Sequence, residues 1–373
     1  MSSKAIHIKI QQDAPIPLAV EFSCEPGEIL VVVGPSGSGK TTLLRSICGI
    51  YKPAAGRISN NQSVWFDSAQ GIDLPVQQRR VGMVFQHYAL FPHKTAIKNI
   101  IAAQGHLDKA VRVERANELL EQVHMHGLGA RYPHQLSGGQ QQRIALARAL
   151  AREPDVLLLD EPFSAVDQQT RRKLVRELVL LRNRLHMPII HVTHNLNEAR
   201  RIADRICIIH HGQTMQLDTP HNIMTKPVNA EVAYQTGHSN IYSGTVTRHD
   251  EDRQITWLKW NEYELETAWQ PDFAPGTEVD WLIPAENLIL HRRDRPSKGE
   301  RENPITGTIS EFIPLGETSS VMIKFNNEQY IAMAVPTHVA QRNGLATGET
   351  VTVSLLSAGI HLMAKPLTEQ KGS

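Results

Sequence analysis

The chain has 373 residues, room for two domains, and a formal net charge of +1, so its overall balance gives no electrostatic reason to bind nucleic acid or an anionic membrane surface. Cys24, Cys48 and Cys207 are isolated thiols without metal-like spacing, which suits a reducing compartment. No apolar run approaches the ~20 residues that span a bilayer, and Met1–Ala5 lacks the apolar segment of a signal peptide, so any membrane role is expected to run through a partner.

In chain order, Ile6–Ile10 and Leu18–Phe22 alternate apolar and polar residues, the pattern of half-buried antiparallel strands, with Asp13–Pro17 as the turn between them. The apolar run Ile29–Val33 then leads into Gly34-Pro35-Ser36-Gly37-Ser38-Gly39-Lys40-Thr41-Thr42 and a helix predicted to Ile50. The spacing Gly-x-x-x-x-Gly-Lys-Thr between a strand and a helix describes a phosphate cradle. Glycines let backbone N–H groups turn inward, the helix N-terminus adds positive potential, Lys40 reaches the outer phosphates and Thr41 offers a hydroxyl to Mg²⁺.

Short strands are predicted near Arg57–Ile58 and Val64–Phe66, a turn at Gly71–Asp73, and a buried strand at Val81–Phe85 ending on Gln86. His87–His93 carries large apolar groups in a stretch too irregular for a strand, either a loop folded over its own core or a protein-docking surface. Asn99–Val123 has a helical period, with Leu119, Leu120 and Val123 on one face, and reads as a helical insertion between two halves of an α/β core.

Leu136–Arg143 opens a second capped helix. Ser137 is a good N-cap, but a cap alone does not explain Gly138, Gly139 and Gln140 after it. Val156–Leu159 ends in Asp160-Glu161, a buried parallel strand delivering two acids to the ligand edge of a sheet. Asp160 is a candidate Mg²⁺ ligand opposite Thr41, and Glu161 a candidate base toward a water at the γ-phosphate. Gln168–His186 reads as an amphipathic helix with a solvated basic face. Ile189–Thr193 reads as a strand ending on His194, a candidate γ-phosphate contact. A helix Asn195–Asp204 and a hairpin around His211-Gly212 follow.

Gly34–Thr41, Gln86, Leu136–Gln140, Asp160-Glu161 and His194 stand in one order that resembles the ATP-binding cassette (ABC) ATPases over residues 4–235; Leu-Ser-Gly-Gly-Gln is that family's own signature. The resemblance implies an α/β P-loop NTPase fold with a helical subdomain, and ATP and Mg²⁺ as ligands. It also implies a homodimer closed head to tail, each ATP lying between Gly34–Thr42 of one copy and Ser137–Gln140 of the other. By the same analogy Glu161 is the catalytic base, His194 the γ-phosphate switch and Gln86 a magnesium and water contact that senses a transmembrane partner. His87–His93 helps line a permease-docking groove, and Asp167 closes a loop communicating between the two ATP sites. Two positions depart from the family pattern. Gln11–Pro17 has no aromatic to stack on adenine, leaving Ile16 as an apolar contact, and Val166 stands where a leucine is more usual.

From about Ser239 a β-rich pattern takes over and repeats. Tyr242–Thr247 matches Ile305–Ser310, Ile255–Asn261 matches Ser320–Asn326, and Pro275–Val279 matches Thr347–Val351, with an insertion around Pro336–Asn343 and a charged linker His291–Glu302 between the copies. Two copies can close one small barrel and so remove the exposed edges. The expected division is a nucleotide-binding domain at 1–237 and an all-β, OB-like regulatory domain at 238–373, its repeats at about 239–291 and 303–365. This resembles the domain attached to ATPases of bacterial importers, where it either stabilises a dimer or senses the solute.

These readings imply the ATPase subunit of an import complex, a translocase bound peripherally through its permease at the cytoplasmic face of the inner membrane and fed by a solute-binding protein. The stretch Asp67–Pro75 running into Arg79–Gly82 looks most like molybdate-type ATPases, with molybdate or tungstate as solute; sulfate, polyamine, ferric iron and sugar are the alternatives. A non-transport ABC ATPase acting on DNA or ribosomes is the rival. Such proteins usually carry coiled-coil arms or two cassettes, and the barrel lacks the basic, aromatic-interleaved face that nucleic acid needs, so no nucleic acid partner is expected.

Overall fold

The computed structural model describes residues 5–164, 166–291, 302–325 and 328–365. It divides into two compact units, one up to Pro220 and one from His221.

The first unit is built on an eleven-stranded sheet. Ile6–Gln12 and Leu18–Cys24 pair antiparallel, with every second residue buried, as their alternation predicts. At the other end Arg205–His210, Ile29–Val33, Ile189–Thr193, Val156–Asp160 and Val81–Val84 lie side by side and parallel. These inner strands read as continuous aliphatic runs because helices cover both faces of a parallel sheet; Ile29–Val33, Val156–Asp160 and Ile189–Thr193 are buried at every residue. Parallel strands end on the same edge. Gly34, Glu161 and His194, each immediately after its strand, and Gln86, two residues after Val84, therefore share the ligand edge of the sheet.

Ile72–Asp73, predicted as a turn, is instead a short strand paired with Phe66-Asp67. Asp73 is drawn there by Arg79, which is 1% exposed, bonds Asp73 Oδ1 at 3.0 Å and donates to the carbonyls of Ser46 and Ile47 at 2.8 and 2.9 Å. The guanidinium thus caps the C-terminus of the phosphate-loop helix, Lys40–Cys48. Within the stretch read as a solute signature, Asp73, Leu74 and Arg79 have this structural task.

The predicted helix Asn99–Val123 is two helices, Ala96–Ile101 and Lys109–Gln122, separated by turns through Gly105. Together with Gly138–Leu150 they enclose a separate apolar cluster that includes Ile100, Leu119, Leu120, Leu136, Ile144 and Leu150. This is the helical insertion.

The second unit holds two five-stranded sheets around one core. Ile241–Asp250, Ile255–Trp260, Tyr263–Ala268 and Glu278–Leu282 form the first, and Pro304–Pro314, Thr318–Lys324, Tyr330–Pro336 and Thr350–Leu355 the second in the same order. Each long first strand carries a register shift at the equivalent place, between Val246 and Arg248 and between Ile309 and Glu311. The last strands are exchanged: Leu288–Leu290 pairs with Thr350–Leu355, and His361–Ala364 with Glu278–Leu282. Each half therefore covers an edge of the other, closing the small all-β barrel. The insertion around Pro336–Asn343 is a short helix, Thr337–Arg342, within the otherwise β-rich unit. The predicted linker His291–Glu302 lies, apart from its two end residues, outside the described residues, as does Asn326 of the repeat.

Candidate active site

One cleft of about 550 Å³ in the first unit is lined by Ile16, Ser36, Gly37, Gly39, Lys40, Thr41, Thr42, Gln86, Glu161 and His194. Five separated segments converge there: the glycine loop, Gln86, Glu161 and His194 because their parallel strands end on one sheet edge, and Ile16 from the turn between Ile6–Gln12 and Leu18–Cys24. Ile16, at the rim of this cleft, is 37% exposed. Of the remaining predicted loop residues, Gly34, Pro35 and Ser38 do not line it but accept from Lys40 Nζ.

The loop has the construction that a phosphate needs. Gly37 and Gly39 take φ of +83° and +91°, a left-handed region that favours glycine. A Cβ on Gly34 would lie 2.2 Å from the carbonyl oxygen of Ile209, so no side chain fits there. Gly39 is the N-cap of Lys40–Cys48 and supplies no side-chain hydrogen bond, which leaves the first N–H groups of the helix directed at the cleft.

Lys40 is 6% exposed and donates to the carbonyls of Gly34 and Pro35 at 2.8 and 2.7 Å. Burial pulls its ammonium below the ordinary lysine range, opposed by the charges of Glu161 and Asp160. Among the described residues it forms no ion pair, so a buried cation faces the cleft with only neutral oxygens bound to it. That arrangement favours an anionic ligand.

Thr41 Oγ1 donates to Asp160 Oδ1 at 3.1 Å. Burial pushes the Asp160 carboxyl above the usual carboxylate range; the Thr41 hydrogen bond works against the rise and Glu161 adds to it. A hydroxyl, one carboxylate and the nearby Gln86 amide form a hard-oxygen donor set of low count. This fits Mg²⁺, which keeps several waters and takes further oxygens from phosphate.

Glu161 adopts φ of +43°, unusual outside glycine, held by its N–H to the carbonyl of Val192 at 3.0 Å and by Ser164, whose N and Oγ both donate to the Glu161 carbonyl. Its Oε2 lies 3.0 Å from His194 Nδ1. His194 sits just before Asn195, which caps the helix Leu196–Ile202.

Ser137, Gly138, Gly139 and Gln140 do not line this cleft. They form the start of the helix Gly138–Leu150, where Ser137 Oγ accepts from Gln140 N and Gln140 Oε1 accepts from Ser137 N at 2.9 Å. Gln140 thus has a capping role that was not foreseen, visible in sequence as Ser-x-x-Gln. Gly139 has a packing role: a Cβ would come 2.9 Å from Thr170 Cγ2. Asp167 caps the next helix, Gln168–Leu185, accepting from Gln169 N and Thr170 N; the Thr170 side chain first, and then these backbone bonds, hold its carboxyl below the usual range.

The His87–His93 segment is a loop pinned from below. Asn99, fully buried, exchanges hydrogen bonds with the Phe91 backbone, and Arg148 donates to the carbonyls of Tyr88 and Ala89. The Phe91 ring stays 41% exposed beneath Lys94 and Arg148. No helix among the described residues is long and apolar enough to cross a membrane.

Comparison with known proteins agrees with this geometry. Residues 18–164 match the profile described as ABC transporter, and residues 281–363 match the TOBE domain. The chain is 45% identical to a sulfate/thiosulfate import ATP-binding protein of Caulobacter vibrioides over 61% of its own length and 67% of that protein's. It is 36% identical to a spermidine/putrescine import ATP-binding protein of Oleidesulfovibrio alaskensis over 83% of its length and 80% of that protein's. The solved structure of cbiO1 from Clostridium perfringens, part of an ABC transporter complex, shares the fold at a TM-score of 0.53 and 24% identity, covering 60% of this chain and 92% of that one. The chain belongs to the ABC transporter family, as an ATP-binding ATPase subunit of importer type that carries a C-terminal TOBE domain.

Proposed function

We propose that the chain is the ATP-hydrolysing subunit of an importer for a tetrahedral oxyanion, acting as a head-to-tail homodimer on a separate permease at the cytoplasmic face of the inner membrane, downstream of a solute-binding protein. The observation that carries the enzymatic reading is the cleft in which the glycine loop, Gln86, Glu161 and His194 meet, with Thr41 bonded to Asp160 beside it.

In this reading the open helix N-terminus and Lys40 hold the outer phosphates of ATP. Glu161 takes a proton from the attacking water, and His194, 3.0 Å away, contacts the γ-phosphate and keeps the carboxylate aimed. Thr41 and Asp160, with Gln86 nearby, would hold Mg²⁺, which would supply charge neutralisation at the phosphate oxygens. Ser137–Gln140 of the second copy completes each site. Residues 1–237 carry this chemistry, 238–373 regulate it or stabilise the dimer, and the exposed Phe91 face meets the permease.

For the solute, the sulfate/thiosulfate relative supports a compact dianion, the chemistry that molybdate and tungstate share. The spermidine/putrescine relative supports a polyamine as the second reading. The test is ATPase activity of the purified chain reconstituted with its permease and binding protein. Stimulation by molybdate, tungstate or sulfate is expected. Stimulation by spermidine and none of the oxyanions would overturn the oxyanion assignment, and no ATPase activity under any condition would overturn the whole reading.

A further inference from the structure

His191 and Glu198 form a buried polar couple directly behind the Glu161–His194 pair. His191 lies in the middle of the strand Ile189–Thr193, fully buried among aliphatic neighbours, and Glu198 is 6% exposed on the helix Leu196–Ile202. His191 Nε2 and Glu198 Oε1 stand 2.5 Å apart. Among the described residues His191 Nδ1 is buried with no partner, so the imidazole is incompletely satisfied where a valine or isoleucine would pack without that penalty. A polar group kept at such a position calls for a role beyond packing.

The couple reaches both halves of the site. On one side the His191 ring packs against Phe163, ring centroids 5.6 Å apart, and Phe163 is two residues beyond Glu161. On the other, Glu198 ties the helix that begins just after His194 back to the strand that ends just before it, while its own N–H is received by the Asn195 cap at 3.2 Å. Glu161, Phe163, Ser164, Arg171, Thr193, His194, Asn195 and Glu198 together line a small chamber of about 50 Å³, room for a water. Arg171, which faces it, donates to the carbonyl oxygens of Phe163 and Val166.

We propose that His191 and Glu198 are positioning residues for ATP hydrolysis: their hydrogen bond and the Phe163 contact fix the two turns that carry Glu161 and His194, and so hold the 3.0 Å approach of those side chains. The inference rests on the roles assigned above to Glu161 and His194. Neither His191 nor Glu198 lines the nucleotide cleft, so their removal leaves ATP binding in place and misaligns the reacting groups.

The test uses the full-length chain, with kcat and KM for ATP measured beside the melting temperature. Glu198→Ala should lower kcat about tenfold or more, with KM within about twofold of wild type. Glu198→Gln, which still bonds the imidazole, should restore most of kcat. His191→Phe, which keeps the packing on Phe163 and loses the bond, should match Glu198→Ala and serves if that variant folds poorly. Wild-type kcat in Glu198→Ala or His191→Phe would overturn the proposal. So would equal losses in Glu198→Ala and Glu198→Gln that track a lowered melting temperature. Failure of the underlying reading is distinguishable, because Glu161→Gln would then hydrolyse ATP at the wild-type rate.

Discussion

Thr41 Oγ1 donates to Asp160 Oδ1 at 3.1 Å, joining the phosphate loop to the end of a strand 119 positions later. The Asp160 carboxyl is raised by burial, above the ordinary value of about 3.9 that it has in the unfolded chain. Its stabilising contribution is therefore complete below the unfolded value and is lost as pH rises through the folded one. In the proposed role of Asp160, Mg²⁺ would bind the carboxylate and compete with that proton. The rise in melting temperature caused by Mg²⁺ and a non-hydrolysable ATP analogue should therefore grow with pH across this window. Asp160→Asn should flatten that dependence and suppress turnover; an unchanged pH dependence in Asp160→Asn would exclude Asp160 as the group responsible.

Glu161, the proposed base, has a left-handed backbone. Glu161→Gln should reduce ATPase turnover by about 10²–10⁴-fold and accumulate an ATP-bound dimer, read by size exclusion with ATP. Glu161→Gly and Glu161→Ala should lose turnover equally, yet Gly should be the more stable by about 1 kcal/mol, because glycine accepts φ of +43° without the Cβ clash. Chemical denaturation of the two variants measures the difference, and an Ala variant as stable as Gly would show that this backbone is unstrained.

Ser137 caps a helix in the folded monomer and is proposed to face phosphate across a dimer. The two roles separate by charge. Ser137→Ala should cost about 1 kcal/mol in stability. Ser137→Asp should keep the cap and the melting temperature but abolish ATP-driven dimerisation, since a carboxylate at that helix start repels the γ-phosphate. Normal ATPase activity in Ser137→Asp would place the helix start away from the nucleotide.

In the C-terminal unit Trp260 is 1% exposed and meets Tyr242, Tyr263, Trp281 and Phe325 at ring-centroid distances of 5.0 to 6.1 Å. Trp260→Ala should destabilise that unit by about 3–5 kcal/mol, seen as a lower-temperature unfolding transition and loss of near-UV dichroism. A loss below about 1 kcal/mol would mean that the aromatic cluster is not the centre of its core.

Much of this molecule was legible in its sequence, and for definite reasons. The strand Ile29–Val33 and its loop are local: an aliphatic run, glycines at the two positions that turn left-handed, and a lysine placed one residue into the helix. The parallel strands are legible because burial on both faces admits only apolar residues, which makes their polar ends, Asp160-Glu161 and His194, conspicuous. The strand exchange in the C-terminal unit left no such mark, since pairing Leu288–Leu290 with Thr350–Leu355 depends on closure of two edges and on no local pattern. The break near Gly105 is marked only by local signals, Gly105 itself and the N-cap Asp108, while the apolar residues on either side each keep a helical period.

The sequence by itself determined which chemistry the chain carries, because the reactive groups occupy short segments whose backbone geometry is set by neighbouring glycines, caps and strands. Only the tertiary structure decided how those groups are aimed. The 3.0 Å approach of Glu161 to His194, the bond from Thr41 to Asp160, and the His191–Glu198 couple behind them arise from parallel strands brought side by side in the sheet, and distances between strands are fixed by packing, not by spacing along the chain.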